Sequence, residues 1–508
     1  MERSLPGTAA ASQWQDHVMT DSRNFSLPLS DPAQVVPVPL LGQAWFGDAT
    51  SEVFSPFDGA LLGRVPLSGP DQVKAAVAAG KDFLAAGPLP PWKRAEILDR
   101  AAALLTERKE EFARIIAAEA AKPIRTARAE AERAASTFTF AALEARSLVG
   151  EVVPIEAAPG GDNKIAFTMA VPIGVVAAIS PFNFPLNLVA HKLAPAIAAG
   201  CPVVLKPAGQ TPFSAIALAW LLLADAGLPA GMLSVVTGPG SSVGNALVDH
   251  PDIALLTFTG SPEVGWGIRA RAPRKRVGLE LGNNAPVVIA ADGDWKKAAD
   301  KIRMAGFSHA GQSCISTQRV FVHRDVAAEF SSYLAGLVDT LVVGDPMDEA
   351  TEVSALISHG ERDRVKGWID EAVTGGARVL SGGTVDDNGV LAPTLLGDVQ
   401  PDMSVCAKEV FGPVVGIQTV DSVAEGLALA NASDYGLQAA IFTRDLATAF
   451  TAVKTLDFGG VLVNEVPTWR ADQMPYGGLR DSGNTREGPR YSVREMTETR
   501  LVILDISS

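Results

Sequence analysis

Three side chains in the sequence could together carry out chemistry on a carbonyl group. Cys314 lies in GQSCIST just before the predicted strand QRVFVH, Glu280 alternates with leucines in VGLELG, and Asn183 follows the apolar strand VVAAIS. A thiol near backbone N–H donors can have its pKa lowered from about 8.5, which a nucleophile needs. Desolvation raises a carboxyl pKa towards the range of a general base, and a rigidly held amide can donate to an oxyanion.

Each of these residues also has an ordinary structural interpretation. Free cysteines are usually small buried residues, and Cys201 and Cys406 keep that interpretation. Glu280 could be an edge-strand glutamate that faces water, and Asn183 could cap a turn. Considered one at a time, the residues leave both interpretations open.

Glycine-containing segments indicate a nucleotide site. In LLTFTGSPEVG a strand leads through Gly260 and Ser261 into a helix, which places N–H groups where a pyrophosphate would be favourable. An ordinary βα turn is the alternative, and no segment is a full GxGxxG fingerprint. Lys206 ends the strand of PVVLKP, where it could contact ribose or phosphate or could face water.

The elements around these residues predict an α/β fold. Residues 69–150 are helical in pattern, with a long amphipathic run over 92–121. Beyond Gly150, continuous Val/Ile/Leu strands alternate with helices, as a parallel sheet covered on both faces requires. The pattern resumes after Glu280, so two doubly wound α/β domains are predicted. Residues 1–38 are polar and are interpreted as an N-terminal arm.

Length and composition exclude several other classes of protein. The chain has 508 residues, which argues for more than one core. With 43 Lys and Arg against 57 Asp and Glu, the net charge of −14 disfavours a nucleic-acid-binding surface. The longest apolar runs are shorter than the roughly 20 residues of a membrane span. Three cysteines far apart favour a reducing, cytoplasmic location, and neither they nor the scattered histidines suggest a metal site.

The order and wording of the motifs resemble the aldehyde dehydrogenase superfamily across nearly the whole chain after the arm. The motifs that carry the resemblance are PFNFP at 181–185, KPAGQTP at 206–212, FTGS at 258–261, ELG at 280–282, GQSC at 311–314, EVFGPV at 409–414, VN at 463–464 and PYGGLRDSG at 475–483.

The resemblance implies a subunit of three parts. A cofactor-binding domain would comprise 39–150 and 172–283, and a catalytic domain would comprise 284–485. A small β element for oligomerisation would comprise 151–171 and 486–508, with a C-terminal strand that extends a neighbour's sheet. A homodimer or homotetramer is therefore expected.

The resemblance also implies roles for the residues introduced above. Cys314 would be the nucleophile, Glu280 the general base, and Asn183 with the Cys314 N–H the oxyanion hole. Hydride would pass to NAD or NADP, and Glu280 would activate the water that frees a carboxylic acid from a thioester. A catalytically silent structural member and a reductive acyl-phosphate enzyme are the alternatives, and the presence of all three residues disfavours both.

The cofactor contacts are likewise implied by the resemblance. Lys206 would contact the adenosine ribose, Ser261 after Gly260 the pyrophosphate, and Glu409 with Phe411 the nicotinamide ribose and ring. Gly209 stands where NAD-selective members often carry a glutamate that binds the ribose hydroxyls. The lack of that carboxylate removes a charge that would repel the 2′-phosphate of NADP, so either cofactor is expected.

Two arginines are candidates for the substrate pocket. The wording VPTWRADQMPYGG resembles the lactaldehyde, glyceraldehyde-phosphate and phosphonoacetaldehyde branches of the superfamily. Arg470, and with less support Arg133, could offer a guanidinium fork to a carboxylate, sulfonate or phosphate on a small polar aldehyde. A surface salt bridge is the alternative for each.

Overall fold

The computed structural model describes residues 31–507. Residues 1–30, most of the predicted arm, therefore lie outside the described residues. Near the start of the described part, Val36 and Val38 are already buried in a core. The packed body of the protein thus begins before residue 39.

Helices and strands alternate along most of the described chain. In chain order the helices are α1 Pro70–Ala86, α2 Pro91–Glu107, α3 Lys109–Ala120, α4 Ile124–Ser147, α5 Asn187–Ala199, α6 Phe213–Trp220, α7 Asn245–Asp249, α8 Pro262–Arg271, α9 Trp295–Ala305, α10 Arg324–Val338, α11 His359–Thr374, α12 Ser404–Ala407, α13 Val423–Asn431, α14 Leu446–Thr455 and α15 Pro489–Glu495. The strands are β1 Val38–Leu40, β2 Gln43–Trp45, β3 Thr50–Phe54, β4 Leu61–Pro66, β5 Val152–Val153, β6 Lys164–Pro172, β7 Val175–Ile179, β8 Val203–Lys206, β9 Leu233–Val235, β10 Ile253–Thr259, β11 Arg276–Glu280, β12 Ala285–Ile289, β13 Thr317–His323, β14 Arg378–Ser381, β15 Thr394–Gly397, β16 Val414–Val420, β17 Tyr435–Gly436, β18 Gln438–Phe442, β19 Gly460–Val463, β20 Leu479–Arg480 and β21 Thr497–Asp505.

The long helical run predicted over 92–121 is divided into α2 and α3. The break falls at Arg108, whose φ of −95° and ψ of 20° leave helical geometry. Its guanidinium pairs with Glu111 at 2.6 Å and with Asp225 at 3.2 Å. The second pair ties this break to the turn that follows α6.

The first sheet has the order β11-β10-β7-β8-β9, and all its neighbours are parallel. Alternate residues of β7 belong to two different cores. Val176 and Ala178 pack in the alanine-rich core with α2 and α5, whereas Val175 and Ala177 pack with α1 and α7. The sheet is therefore covered on both faces, as the unbroken apolar strands predicted.

The second sheet has the order β14-β15-β16-β13-β12-β18-β19. Its neighbours are parallel except for β14, which pairs antiparallel with β15 at one edge. Val287 and Ile289 face one core, and Val288 faces the other. The first sheet falls within the predicted segment 172–283 and the second within 284–485, while the domain boundaries themselves stay a prediction.

A separate antiparallel sheet has the order β21-β6-β5. The C-terminal strand β21 pairs with β6 along its whole length, from Thr497 opposite Pro172 to Asp505 opposite Lys164. Large apolar side chains on this sheet are exposed, among them Met169, Leu501 and Ile503.

Two kinds of feature were not found among the described residues. Within 31–507 no helix is long and apolar enough to cross a membrane. The same residues hold no cluster of three or more His, Cys, Asp or Glu side chains suited to a metal ion. Cys201, Cys314 and Cys406 are free thiols.

A buried ion pair connects the helical region to the loop that follows β7. The fully buried Lys122 ammonium pairs with Glu130 on α4 and donates to the Asn183 carbonyl at 2.6 Å. Glu130 in turn accepts from the backbone N–H groups of Leu186 and Asn187, at 2.9 and 3.1 Å, at the start of α5. One carboxylate and one ammonium therefore fix both the loop and the first turn of the next helix.

Replacing Lys122 by methionine should destabilise the protein strongly, because Glu130 would keep a buried charge without its cation. Loss of one partner of a buried pair costs about 3–5 kcal/mol. Lys109 provides a matched control, since it pairs with Glu132 at 2.7 Å on the exposed surface, where such pairs contribute about 1 kcal/mol or less. Thermal unfolding should show a much lower midpoint for Lys122→Met than for Lys109→Met, and equal midpoints would contradict this account.

Candidate active site

The candidate residues of the first sheet lie at one edge, where its parallel strands end. Asn183 follows β7, Lys206 is the last residue of β8, Ser261 follows β10, and Glu280 is the last residue of β11. Carboxyl ends of parallel strands share an edge, which is the usual ligand-binding position of open α/β sheets. The Gly260 N–H also donates to the Glu280 carbonyl at 3.1 Å and joins two of these ends directly.

A strained loop presents Cys314. Three consecutive residues, His309, Ala310 and Gly311, have positive φ values of 51°, 52° and 69°. Gly311 cannot be replaced without movement, because a Cβ there would lie 2.1 Å from the Gly412 carbonyl oxygen. Left-handed backbone at non-glycine residues is costly and persists where the surroundings fix it, often at functional sites.

Asn183 is attached to the same loop. Its buried side chain donates one Nδ2 hydrogen to the Gln312 carbonyl at 2.9 Å, and Lys122 holds its backbone carbonyl. The second amide hydrogen has no acceptor within 31–507, and neither has the Cys314 N–H. Both donors expected for an oxyanion hole are thus available beside the thiol.

The thiol itself is less acidic than the sequence suggested. Burial raises the pKa of Cys314 to about 12, although the hydrogen bond to Tyr476 and the charge of Arg470 act in the opposite direction. The expectation of a lowered pKa was wrong, because desolvation outweighs the polar neighbours of the loop. The Tyr476 hydroxyl lies 2.9 Å from Cys314 Sγ.

Glu280 is buried and does not face water, although β11 is an edge strand. Neither carboxylate oxygen has a hydrogen-bond partner among the described residues. Burial and the charge of Glu487 raise the pKa of Glu280 well above its ordinary value. Gly477 permits this placement, since a Cβ at that position would lie 2.8 Å from Glu280 Oε1. A desolvated carboxyl with free oxygens suits the acceptance of a proton from water.

Arg470 is buried next to these groups and is no surface residue. Its guanidinium stacks on the Tyr476 ring, 3.7 Å from the ring centroid, and pairs with buried Glu487 at 3.0 Å. Burial alone would raise the Glu487 pKa, but the charge of Arg470 brings it below the ordinary value. Glu487 is thus the ionised member of the two neighbouring carboxyl groups, and Glu280 the one that holds a proton more readily.

Arg133 lies on the outer side of a cluster of polar residues formed by Arg470, Glu487, His191 and Asp472. Its guanidinium pairs with Asp472 at 2.9 Å, and about a third of its side chain is exposed (30%). Burial would raise the Asp472 pKa, yet the hydrogen bond from His191 and the charge of Arg133 lower it to about 2. The salt-bridge interpretation therefore describes Arg133 better than it describes Arg470.

Sequence reasoning missed several members of the cluster, although each carried a signal. His191 and Lys192 are adjacent polar residues in the middle of α5, whose other side chains are almost all apolar. The His191 Nε2 lies 3.3 Å from Arg470, and the Lys192 ammonium lies 3.9 Å from Glu487. Tyr476 lies in the PYGG motif, but its contact with Cys314 joins residues 162 positions apart, and no local pattern predicts it.

The strand ends fit a dinucleotide cofactor. The buried Lys206 ammonium has one contact among the described residues, the neighbouring Pro207 carbonyl at 3.3 Å. Burial lowers its pKa without a compensating anion, so its hydrogen-bonding capacity is available to a ligand. Ser261 is the exposed N-cap of α8 and its hydroxyl makes no capping bond. Gly209 faces open space, with no atom within 4 Å of a Cβ built there.

Glu409 and Phe411 reach the same region from the second sheet. Glu409 accepts from the Asn283 N–H at 2.9 Å, and burial raises its pKa to about 7. Phe411 has a left-handed φ of 47° and meets Phe182 edge to face at 5.7 Å. Phe182 precedes Asn183, so the predicted nicotinamide contacts lie beside the predicted oxyanion donor.

Comparison with known proteins gives a consistent result. Residues 45–502 match the aldehyde dehydrogenase family. The 3-sulfolactaldehyde dehydrogenase of Priestia aryabhattai is 47% identical over 455 residues, which are 90% of this chain and 95% of that protein.

Solved structures agree with this match. The NADP-dependent glyceraldehyde-3-phosphate dehydrogenase of Bacillus halodurans, complexed with NADP, has a TM-score of 0.89 and 38% identity over 93% of this chain and 99% of its own. The NAD-dependent aldehyde dehydrogenase of Sinorhizobium meliloti has a TM-score of 0.90 and 34% identity over 94% and 97%.

The chain therefore belongs to the aldehyde dehydrogenase family, and the resemblance stated from its motifs is confirmed. The predicted α/β fold is confirmed as well. The protein is an NAD- or NADP-dependent oxidoreductase that oxidises aldehydes.

Proposed function

We propose that this protein oxidises a short aldehyde with an anionic group at its far end, of the 3-sulfolactaldehyde type, to the corresponding carboxylate. The observation that carries the proposal is the position of Arg470. This buried guanidinium is separated from the nucleophile by one aromatic ring, and its Nε–H has no acceptor within residues 31–507. A relative at 47% identity is named for the oxidation of such a substrate.

The charges of the cluster support an anionic ligand. Arg470, Arg133 and Lys192 bring three basic side chains, against the two carboxylates of Glu487 and Asp472 whose pKa values are held low. Burial lowers the pKa of Lys192, while the charge of Glu487 acts in the opposite direction. Burial and the charge of Arg470 lower the pKa of His191, which keeps that imidazole neutral. One further anion would bring the cluster closer to neutrality, and a sulfonate offers oxygens for the free Nε–H.

The first chemical stage uses the strained loop and the Asn183 amide. The Cys314 thiolate attacks the aldehyde carbon, and the carbonyl oxygen becomes an alkoxide between the Asn183 Nδ2 and the Cys314 N–H. Preorganised donors of this kind stabilise the charge where it develops. When bound, the nicotinamide ring supplies the acceptor for the hydride that the substrate carbon loses.

The second stage uses Glu280. Its raised pKa and free oxygens allow it to take a proton from water as that water attacks the thioester carbonyl. Release of the Cys314 sulfur gives the carboxylic acid. A glutamate in this role supports hydrolysis over transfer of the acyl group to phosphate or coenzyme A.

The cofactor is proposed to be held by Lys206, Ser261, Glu409 and Phe411. The free groups of Lys206 and Ser261 and the positions of Glu409 and Phe411 support this assignment. Gly209 faces open space, and glycine has no carboxylate that would repel the 2′-phosphate of NADP. Both features support acceptance of NADP.

Assembly and location complete the proposal. The exposed apolar side chains on the β21-β6-β5 sheet support a homodimer or homotetramer in which this sheet meets a second copy. Three free thiols suit the reducing conditions of the cytoplasm.

Replacing Glu280 by glutamine should stop the reaction at the thioester, because the amide cannot take a proton from water. Rapid mixing with aldehyde and cofactor should give one equivalent of reduced cofactor per active site and then almost no turnover. Cys314→Ser serves as the control and should give no burst. Steady turnover of Glu280→Gln at the wild-type rate would refute the assigned base.

Replacing Arg470 by lysine should affect an anionic aldehyde more than a neutral one. Lysine keeps a positive charge beside Glu487 but removes the planar fork and its Nε–H. The kcat/KM for 3-sulfolactaldehyde should fall about tenfold or more relative to that for propanal. Because any disturbance of the nucleophile would affect both aldehydes, the ratio isolates the anion contact. An unchanged ratio would contradict the anchor.

Replacing Gly209 by glutamate should shift the cofactor preference towards NAD. The new carboxylate has room for its side chain and would repel the 2′-phosphate, so kcat/KM with NADP should fall about tenfold or more. Gly367→Glu adds the same charge at an exposed helical position with open space and is the matched control. Equal use of NADP by both variants would exclude a ribose contact at residue 209.

A further inference from the structure

The side chain that contacts the nucleophile directly is Tyr476. Its hydroxyl lies 2.9 Å from Cys314 Sγ, and among residues 31–507 it is the recorded hydrogen-bond partner of that sulfur. The tyrosine is 3% exposed, and its ring is covered by the Arg470 guanidinium at 3.7 Å. Tyr476 belongs to the PYGG motif, but the resemblance assigned no role to its hydroxyl.

The direction of the hydrogen bond follows from the surroundings. Burial raises the pKa of Tyr476 well above its ordinary value, and the neighbouring Cys314 and Glu280 add to that rise. A thiolate carries no hydrogen, so the phenol must be the donor once Cys314 has ionised. Arg470 places a positive charge over the ring, which strengthens the phenol as a donor.

We propose that Tyr476 is a positioning residue for the reaction: its hydroxyl donates to the Cys314 sulfur and favours the thiolate within a buried site. The inference rests on the role proposed for Cys314 as nucleophile. Burial removes the water molecules that would otherwise stabilise a thiolate. The Tyr476 hydroxyl replaces them as a donor that interacts more strongly with the charged form of the sulfur than with the neutral form.

The protons and electrons balance without a further reagent. The thiol gives its proton to Glu280 or to water, while the Tyr476 hydroxyl keeps its own. In the attack a sulfur electron pair forms the S–C bond, and the carbonyl π electrons move to the oxygen held by Asn183. The sulfur is then a weak thioether-like acceptor, so the Tyr476 hydrogen bond belongs to the thiolate before attack.

Because the hydrogen bond acts on the thiolate before attack, the Tyr476 hydroxyl should have a specific effect on the reactivity of Cys314. Tyr476 should increase the thiolate fraction at a given pH while it slightly reduces the reactivity of each thiolate, since nucleophilicity falls with basicity. A residue that merely supports packing would lower the reaction rate at every pH. A change in the acidity of the hydroxyl separates the two possibilities, because packing does not depend on that acidity.

The test measures alkylation of Cys314 by iodoacetamide as a function of pH, in the absence of aldehyde and cofactor. Peptide mass spectrometry identifies the modified site, and Cys314→Ser gives the background from the buried Cys201 and Cys406. Tyr476→Phe keeps the ring and its stacking on Arg470. Tyr333→Phe removes an exposed hydroxyl that contacts Asp300 at 3.0 Å and is the matched control.

Below the ionisation midpoint, Tyr476→Phe should react about tenfold more slowly than wild type, which corresponds to a midpoint raised by about one pH unit. Tyr333→Phe should match wild type at every pH. Incorporation of 3-fluorotyrosine at position 476, a more acidic donor, should move the midpoint the other way.

Two results would overturn the inference. One is an unchanged profile in Tyr476→Phe, and the other is a 3-fluorotyrosine variant that reacts no faster than wild type below the midpoint. The experiment needs no aldehyde, so failure of the proposed substrate would leave it intact. Conversely, wild-type Cys314 that resists alkylation at every pH would contradict its role as nucleophile and thus the proposed function itself.

Discussion

The constraint on which the site depends is desolvation. Glu280 and Tyr476 are buried and Cys314 is half-buried, and desolvation raises the pKa of each. The charge of Arg470 lowers all three pKa values, and Glu487 keeps that guanidinium in place. The Arg470 guanidinium, stacked on the Tyr476 ring, therefore lowers the pKa values of the nucleophile, of its hydrogen-bond donor and of the base. Its loss would affect chemistry as well as substrate binding.

The fold supports this desolvated site by fixing the backbone around it as well as the side chains. The parallel strands end at a common edge, while Lys122 and Glu130 hold the loop that carries Asn183. The left-handed stretch before Cys314 turns the chain so that its N–H remains free for a ligand. Two sheets with separate cores thus meet at a site whose polar atoms are either satisfied or left available to substrate and cofactor.

Much of this arrangement could be predicted from sequence, and the remainder could not for physical reasons. Unbroken apolar strands predicted two covered sheets, but nothing in ARVLSGG indicated that β14 runs antiparallel. Cys314, Glu280 and Asn183 were recognisable from motifs, and the structure places them in one region. The pKa of Cys314 depends on burial in three dimensions, so local neighbours predicted the wrong direction. The Tyr476 contact joins residues far apart in sequence, and no local pattern reports it.

The central claim is that an anionic short aldehyde is the preferred substrate because Arg470 stands beside the nucleophile. The most direct measurement compares kcat/KM of the wild-type protein for 3-sulfolactaldehyde and for lactaldehyde, which lacks the sulfonate, with NAD and with NADP. We expect a preference of about tenfold or more for the sulfonate with at least one cofactor. Equal or better use of lactaldehyde with both cofactors would contradict it.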